Sequence, residues 1–325
     1  MIPLILRRLA QLPLILLVIY TLTLALAWGV PGSPLDAPEG RRPPPEVERL
    51  MRAQYRLDSF SSFYWSYIEN ATGVAHVLGH AAPGAPVFDL GPSLQYRDRR
   101  VNELIADALP VSMSLGAAAV VIALVLGVAV GTAGALRPGT WVDLGSLTLS
   151  LVGVSLPGFV IGSVLLLVFC LWLGWFPVGP WQGARSMALP AITLALPIAA
   201  YVARLVRLEL ATALASEYVR TARAKGLSEP AVIIRHALRN ALLPVLGYLG
   251  PAAAGAMTGS FVVEQVFSVP GMGQHFVSAV RNKDLFLIIG VVLVYATLLV
   301  LFNLAVDILY RWADPRIGDR SLTAA

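Results

Sequence analysis

The residues best placed to contact another molecule lie in one segment, Glu217–Leu246, which reads EYVRTARAKGLSEPAVIIRHALRNALLPVL. Its polar residues follow the order of a short helix. Ser216 can cap the first turn with its hydroxyl, and the glutamate that opens the segment lies where the helix dipole favours an anion. Arg223 and Lys225 fall in the last turn, where cations are favoured, and Gly226 suits a left-handed stop. The segment therefore predicts a short helix followed by a tight turn.

A second helix is predicted directly after the turn. Ser228, Glu229 and Pro230 suit its first turn, where proline is tolerated, and the sequence then runs through IIRHALRNALLP into an apolar stretch. The short helix before it offers a small apolar face at Val219, Ala222 and Leu227. Three basic residues border that face: Arg220, Arg223 and Lys225. This pattern suits docking into a groove on a partner protein, and equally suits contact with anionic lipid or an ordinary basic cytoplasmic loop.

Few residues elsewhere could do catalytic chemistry. His76 and His80 are four apart and could share a helix face, but no further zinc ligands are evident. Cys170 is the only cysteine and lies in an apolar run, which is typical of a small core residue. The phosphate-binding pattern G-x-x-x-x-G-K-[ST] is missing from the sequence, so the chain is not expected to hydrolyse ATP itself. We expect no catalytic residue, metal site or cofactor.

The composition is that of a membrane protein. Of 325 residues, 57% are hydrophobic and only 13% are charged, against about a quarter charged in soluble domains. The mean hydropathy is +0.73. The net charge of +5 is confined to a few segments, which fits membrane loops rather than a nucleic-acid partner. We therefore expect an all-α protein whose helices cross the bilayer.

Six stretches free of charged residues are long enough to cross about 30 Å of hydrocarbon. They are Leu9–Val30, Leu109–Leu136, Leu144–Leu171, Ser186–Ala203, Ala241–Val263 and Leu285–Val306. The stretch WLGWFPVGPWQG after the third is predicted as an interfacial turn. With the N-terminus inside the cell, thirteen Lys and Arg fall in inner segments and three in short outer loops, which fixes the orientation.

This topology predicts four regions. Residues 1–30 hold the N-terminus and the first span, and 31–108 form an extracytoplasmic segment in which Glu46–Asn70 makes one or two helices. Residues 109–311 form the membrane core with five spans and a cytoplasmic loop at 212–240. Residues 312–325 form a cytoplasmic tail, so both termini are predicted to be cytoplasmic.

A passage through the spans would use hydroxyls rather than fixed charges, since the predicted spans hold no interior charge. Candidate residues along it are Ser155, Thr258, Ser260 and Glu264. For each hydroxyl, hydrogen bonding between or within helices is the alternative. Glu264 could contact cargo or stabilise its own loop by a hydrogen bond.

The segment EYVRTARAKGL followed by RHALRNALLPVL resembles the cytoplasmic loop of permease subunits of ATP-binding-cassette (ABC) importers, in the peptide-transport branch. The likeness continues in order through SLPGFVIGSVLLLVF, LGWFPVGPW, GPAAAGAMTGSFVVEQVFSVPGMGQHFVSAVRNKD and NLAVDILYRWADPRI. GPSLQYRDRRVNELI and GPAAAGAMTGS are most similar to the first, or B-type, permease of oligopeptide systems. The outer segment 32–89 matches weakly, and Gly158 stands where the family more often has serine.

The resemblance implies the type I permease fold, half of a pathway for peptides, and a location in the bacterial inner membrane. Its implied partners are a homologous second permease, two ABC ATPase subunits that bind ATP and Mg²⁺, and an extracytoplasmic substrate-binding protein that delivers the peptide. Oligopeptides are the expected cargo, with dipeptides, glutathione or nickel as alternatives. The resemblance places the ATPase-coupling role on the short helix and its stop: Glu217, Tyr218, Arg220, Thr221, Ala222, Arg223, Ala224, Lys225, Gly226 and Leu227.

Two other classes are less consistent with the sequence. An ion-coupled secondary transporter would carry buried ionisable groups or an inverted repeat, and neither is evident. An intramembrane hydrolase would need a histidine, metal ligands or paired aspartates inside a span, and none of the four histidines falls within a predicted span.

Overall fold

The computed structural model describes residues 2–35, 44–81, 84–96, 98–177, 181 and 183–313. Within these ranges the regular structure is helical, and the one β-type contact recorded is an isolated bridge between Pro92 and Arg100. The prediction of an all-α protein is confirmed. The predicted cytoplasmic tail beyond Ala313, and residues 178–180 and 182 of the predicted interfacial turn, lie outside the described residues.

Fifteen α-helices follow one another along the described chain. They are α1 (Ile2–Gly29), α2 (Pro45–Gln54), α3 (Phe60–Ala71), α4 (Val74–Val77), α5 (Val101–Leu136), α6 (Trp141–Ser155), α7 (Gly158–Leu165), α8 (Ala184–Leu214), α9 (Glu217–Ala224), α10 (Glu229–Ala231), α11 (Arg239–Ala241), α12 (Leu243–Met257), α13 (Phe261–Val266), α14 (Met272–Arg281) and α15 (Leu285–Ala313). Two π-helical segments continue helices, Leu166–Trp172 after α7 and Val232–Leu238 between α10 and α11.

Five helical stretches are long and apolar enough to cross a bilayer, and a bent pair supplies a sixth. The five are Ile5–Gly29, Val101–Leu136, Ala184–Leu214, Leu243–Val266 and Leu285–Leu309. The prediction of six membrane-crossing segments is therefore confirmed, although their bounds, and the shape of the third, differ from those expected from the sequence.

The third predicted span is not one straight helix. Trp141–Ser155 and Gly158–Trp172 meet at an angle of 105°. Proline disfavours the helical conformation in the residue before it, and Leu156, before Pro157, is extended with φ −79° and ψ 127°. Pro157 then occupies the N-cap of α7. The sequence did not indicate the size of this bend, because the uncharged stretch Leu144–Leu171 runs through it without interruption.

The fourth span is longer than predicted. Its helix, α8, continues past Ala203 to Leu214, so Arg204 and Arg207 lie within a helix rather than in a loop. The fifth candidate span, Leu243–Val266, contains Glu264. By length and composition, the candidate spans thus include these ionisable residues in their C-terminal parts.

The chain divides into two compact units. The core unit contains residues 112–269 and the described chain ends 2–5 and 299–313. In it, small residues let helices α5 and α8 approach closely. A Cβ at Gly127 would lie 2.7 Å from Val202, and one at Gly131 would lie 2.5 Å from the carbonyl oxygen of Ala203. These two glycines therefore let α5 and α8 pack closely.

The flanking unit contains residues 6–111 and 270–298. Its centre is aromatic: the rings of Phe63 and Phe286 lie 5.1 Å apart, and those of Tyr20 and Tyr67 are stacked at 5.3 Å. One or two helices were predicted in Glu46–Asn70, and two are present there, α2 and α3. Aromatic burial of this size is what allows short helices between two long ones to hold a fixed position.

Candidate functional site

Two residues separate the end of α8 from the start of α9. The hydrogen bonds at this start differ from those expected from the sequence. Ser216 occupies the N-cap position, but its side chain does not accept a hydrogen bond from the helix. Its hydroxyl instead donates to the carbonyl oxygen of Ala213, in the last turn of α8. The predicted side-chain cap is therefore wrong: the hydroxyl is directed at the Ala213 carbonyl, which also accepts from the backbone N–H of Ser216 at 3.1 Å. The backbone N–H of Arg220 donates to the Ser216 carbonyl at 3.2 Å, which begins the helix.

The end of α9 is as predicted. Gly226 has φ +78°, the left-handed conformation expected of a helix stop. Its N–H donates to the carbonyl of Arg223 at 2.9 Å, and the N–H of Leu227 donates to the carbonyl of Ala222 at 3.4 Å. These two bonds form a Schellman motif, which satisfies carbonyls at the helix end and turns the chain toward α10.

The apolar face of α9 points inward. Val219 is fully buried and Ala222 is 5% exposed, and both pack in a cluster with Leu210, Ala213 and Val232. The prediction that Val219 and Ala222 offer an exposed docking face is therefore wrong, because the chain's own helices cover them. Their role is to hold α9 against the end of α8 and the start of the next helical segment.

The exposed side of α9 is mainly polar. Its members include Tyr218, Arg220, Thr221, Arg223, Ala224 and Lys225, followed by Gly226 and Leu227. Arg220 pairs with Glu217 at 2.9 Å, and Arg223 makes a two-bond contact with Glu229 at 2.8 and 3.3 Å. Within the described part of the chain Lys225 has no ionic partner. These pairs are solvent-exposed and contribute little to stability, so they can exchange with groups of a docked protein.

A less expected feature of the core unit is an ion pair between α8 and α6. Arg207 of α8 donates to both carboxylate oxygens of Asp143, in the first turn of α6, at 2.5 and 2.9 Å. The Asp143 side chain is 8% exposed. Sequence reasoning missed this pair, because Asp143 stands just before a predicted span and Arg207 had been assigned to a loop. The signal available was an acidic residue at the edge of an apolar run.

Three of the four candidate pathway residues lie at the interruption between α12 and α13. Thr258 is buried, and its hydroxyl donates back to the Ala254 carbonyl at 2.6 Å. Gly259 has φ +105°, which breaks the helix, and Ser260 caps α13 by accepting from the N–H of Val263 at 3.4 Å. The fourth, Ser155, is exposed at the last residue of α6, on a different helix.

Glu264 of α13 is fully buried. Its carboxylate accepts a hydrogen bond from the hydroxyl of Ser112 on α5 at 2.8 Å. Four residues further along α5, a Cβ at Gly116 would lie 2.4 Å from the carbonyl oxygen of Ala256. One face of α5 is therefore fitted closely to the interruption. The side chain thus makes a hydrogen bond, but to a different helix rather than to its own loop.

The described residues contain no group of three or more His, Cys, Asp or Glu that could hold a metal ion. His76 lies in the single turn of α4, and His80 follows that helix.

Comparisons with known proteins agree across the whole chain. The family described as binding-protein-dependent transport system inner membrane component matches residues 107–319, and the corresponding N-terminal family matches residues 1–116. The oligopeptide transport system permease protein OppB of Haemophilus influenzae is 41% identical, covering 98% of this chain and 99% of that protein. OppB of Escherichia coli is 39% identical with the same coverage, and the dipeptide transport system permease protein DppB of Bacillus subtilis is 37% identical over 93% of each chain.

One similar solved structure is titled as the crystal structure of an amino acid ABC transporter with histidines. It matches with a TM-score of 0.50 and 18% identity, covering 65% of this chain and 94% of that one. At this identity the match speaks to the fold alone, and the fold is that of an ABC transporter membrane subunit.

Proposed function

This chain belongs to the family of binding-protein-dependent transport system inner membrane components, and on that premise we propose that it forms half of a pathway carrying oligopeptides across the bacterial inner membrane. The chain is a non-catalytic permease subunit of a peptide ABC importer. The proposal of oligopeptides over dipeptides is supported by the OppB relatives at 39–41% identity over nearly the full chain. Dipeptides, glutathione and nickel remain the alternative cargoes within the same family.

The complex we propose contains three kinds of partner protein. A homologous second permease completes the pathway, two ABC ATPase subunits bind ATP and Mg²⁺ on the cytoplasmic side, and a substrate-binding protein delivers peptide on the other side. Both termini and α9 are then cytoplasmic, and residues 31–108 are extracytoplasmic. The excess of Lys and Arg in the predicted inner segments supports this orientation.

The single observation that carries the coupling role is the way α9 is held. Its inner face is buried in the core unit, the Schellman turn at Gly226 fixes its end, and its outer face is left to solvent. ATP-driven closure of the partner subunits can shift a permease only if their contact differs between the two states. A helix that is open on one side and anchored on the other can transmit such a difference into α8. We assign the coupling role to Glu217, Tyr218, Arg220, Thr221, Ala222, Arg223, Ala224, Lys225, Gly226 and Leu227.

Within this scheme the residues of α9 divide into two roles. Val219 and Ala222 anchor the helix to the core unit, while the exposed residues from Tyr218 to Leu227 contact the ATPase. The exposed ion pairs of Arg220 and Arg223 supply charges that can pair with acidic groups of the partner at low cost.

We assign the passage of cargo to the region around the α12–α13 interruption. Thr258, Ser260 and Glu264 lie there, and Ser155 of α6 is assigned to the same pathway. Because Glu264 is buried and bonded to Ser112, it shapes this region by holding α13 to α5. A hydroxyl such as that of Thr258 carries no charge and bonds to the backbone of its own helix. A passage lined by such groups has few fixed charges and so suits peptides whose side chains vary.

The function is tested by rebuilding the complex in proteoliposomes. Uptake of labelled peptides of graded length is measured with and without ATP, and with and without the binding protein. We expect uptake only when both are present, with peptides longer than dipeptides preferred. Uptake driven by an ion gradient without ATP would overturn the proposal, and a strict preference for dipeptides would overturn the cargo assignment.

The coupling role is tested by cross-linking in a Cys170→Ser background. Thr221→Cys, on the exposed side of α9, should cross-link to an ATPase subunit, and the yield should change when ATP is trapped. Leu208→Cys, exposed on α8, is the matched control and should cross-link much less. Equal yields at both positions would contradict the assignment of α9.

A further inference from the structure

The buried pair of Asp143 and Arg207 is more than a contact between two helices, because it also fixes the turn before α6. The N–H of Gly139 donates to the same carboxylate oxygen of Asp143 that accepts from Arg207 Nη2, at 3.0 Å. Gly139 has φ +73°, and the hydroxyl of Thr140 donates to the Arg137 carbonyl at 2.6 Å. One carboxylate therefore joins α8, the start of α6 and the turn that leaves α5.

The end of α5 packs directly against this pair. A Cβ at Gly134 would lie 2.4 Å from the hydroxyl oxygen of Ser146 on α6 and 3.6 Å from Cδ of Arg207. No larger side chain fits at this position without displacing one of them. Three helices therefore meet at the ion pair with little free space between them.

The pair is also close in sequence to the contacts that hold α9. Arg207 lies three residues before Leu210, which packs with Val219 of α9 and with Ala135 at the end of α5. A displacement of α9 thus acts on the last turn of α8, within one helical turn of Arg207. The same displacement meets α5 through Ala135.

We propose that Asp143 and Arg207 are positioning residues that transmit movement of α9 to the bent helix pair α6–α7. This inference rests on the function proposed above. Two parallel hydrogen bonds between a guanidinium and a carboxylate resist both sliding and rotation, whereas apolar contacts between helices allow small slides. The pair therefore makes α6 follow α8, and the 105° bend carries that movement into a helix of different direction.

The test uses the complete reconstituted complex and measures peptide uptake per ATP hydrolysed. Arg207→Lys keeps the charge but removes the two-bond geometry, and Asp143→Asn keeps the shape but removes the charge. We expect uptake per ATP to fall about tenfold in each, which is within the range of ordinary coupling effects. Arg204→Lys is the matched control, since Arg204 is exposed one turn earlier on the same helix, and it should leave uptake per ATP unchanged.

A purely structural role would lower the amount of assembled complex and leave uptake per ATP in that complex unchanged, and this result would overturn the inference. If the variants do not assemble, spin labels on exposed Leu149 of α6 and Leu208 of α8 test the native pair instead. Their separation should stay constant between the nucleotide-free and ATP-trapped states. A changed separation would also overturn the inference, whereas a native complex without ATP-driven uptake would overturn the proposed function itself.

Discussion

The junction between α8 and α9 and the junction between α14 and α15 both redirect the chain within a few residues, but different forces hold them. The first is held by small apolar side chains, Val219 and Ala222, with its charged residues paired in solvent. The second is held by Asp284, a fully buried carboxylate. Its oxygens accept from the Ser93 hydroxyl at 2.6 Å and from three backbone N–H groups, those of Leu94, Gln95 and Leu287.

The difference indicates which polar contacts can exchange partners and which cannot. The exposed ion pairs of Arg220 and Arg223 can exchange partners with little loss, whereas a buried carboxylate with four donors has no equivalent alternative partner. Lys283, beside Asp284, adds a contact to the carbonyl oxygen of Gly32 at 2.7 Å. We therefore expect the polar outer side of α9 to accept new partners while Val219 and Ala222 keep the helix attached to the core unit, and we expect the junction at Asp284 to be a fixed point of the flanking unit.

The largest effect should come from breaking the fixed junction. Asp284→Ala removes the acceptor of four donors, of which the Ser93 hydroxyl and the Leu287 N–H are buried, and we expect a loss of about 3 kcal/mol in the stability of the flanking unit. Thermal unfolding of the purified chain in detergent measures it as a lowered Tm. Asp284→Asn keeps one acceptor and should lose less. Asp58→Ala, at an exposed position, should have almost no effect, and an equal loss in all three would contradict the comparison.

A smaller effect is expected at the inner face of α9. Val219→Ala removes two buried methyl groups and should cost about 2 kcal/mol locally, seen as faster hydrogen exchange across α9. Leu227→Ala removes more carbon from a side chain that is 40% exposed, and should cost less. If Leu227→Ala were the more harmful change, the inward orientation of this face would be wrong.

At Gly226 the expected change is in coupling more than in stability. A Cβ there would meet no atom within 4 Å, so the penalty of Gly226→Val is that of its positive φ, about 1–2 kcal/mol. We expect ATP-driven uptake to fall while membrane insertion is retained. Gly226→Asn is the control, since asparagine tolerates this conformation, and it should transport nearly normally.

The smallest effect should be a pH dependence of the flanking unit. Burial lowers the pKa of His275, with a further contribution from the Arg99 cation, so the folded unit favours the neutral ring. The stability that this provides is present above the ordinary pKa of about 6.5 and is lost as the pH falls through the lowered value. The native protein should therefore lose more Tm than His275→Gln between pH 8 and acidic pH, and parallel losses would remove His275 as the cause.

Much of the fold could be predicted from the sequence because membrane constraints are local. An uncharged stretch of sufficient length must be helical in lipid, so six crossing segments follow from composition alone. The stop at Gly226 is equally local, since only a residue that accepts positive φ suits that turn. The side-chain cap predicted at Ser216 is absent, because in the folded chain the hydroxyl is directed at the Ala213 carbonyl of α8.

What the sequence determined by itself was the set of crossing segments, the position of α9 and the resemblance that identified the family. The tertiary structure decided that Val219 turns inward, that the third span bends by 105°, and that Asp143 meets Arg207 and Ser112 meets Glu264. The physical reason is distance along the chain. Those partners are 64 and 152 residues apart, and only the packing of whole helices decides which side chains at such separations come within hydrogen-bonding distance.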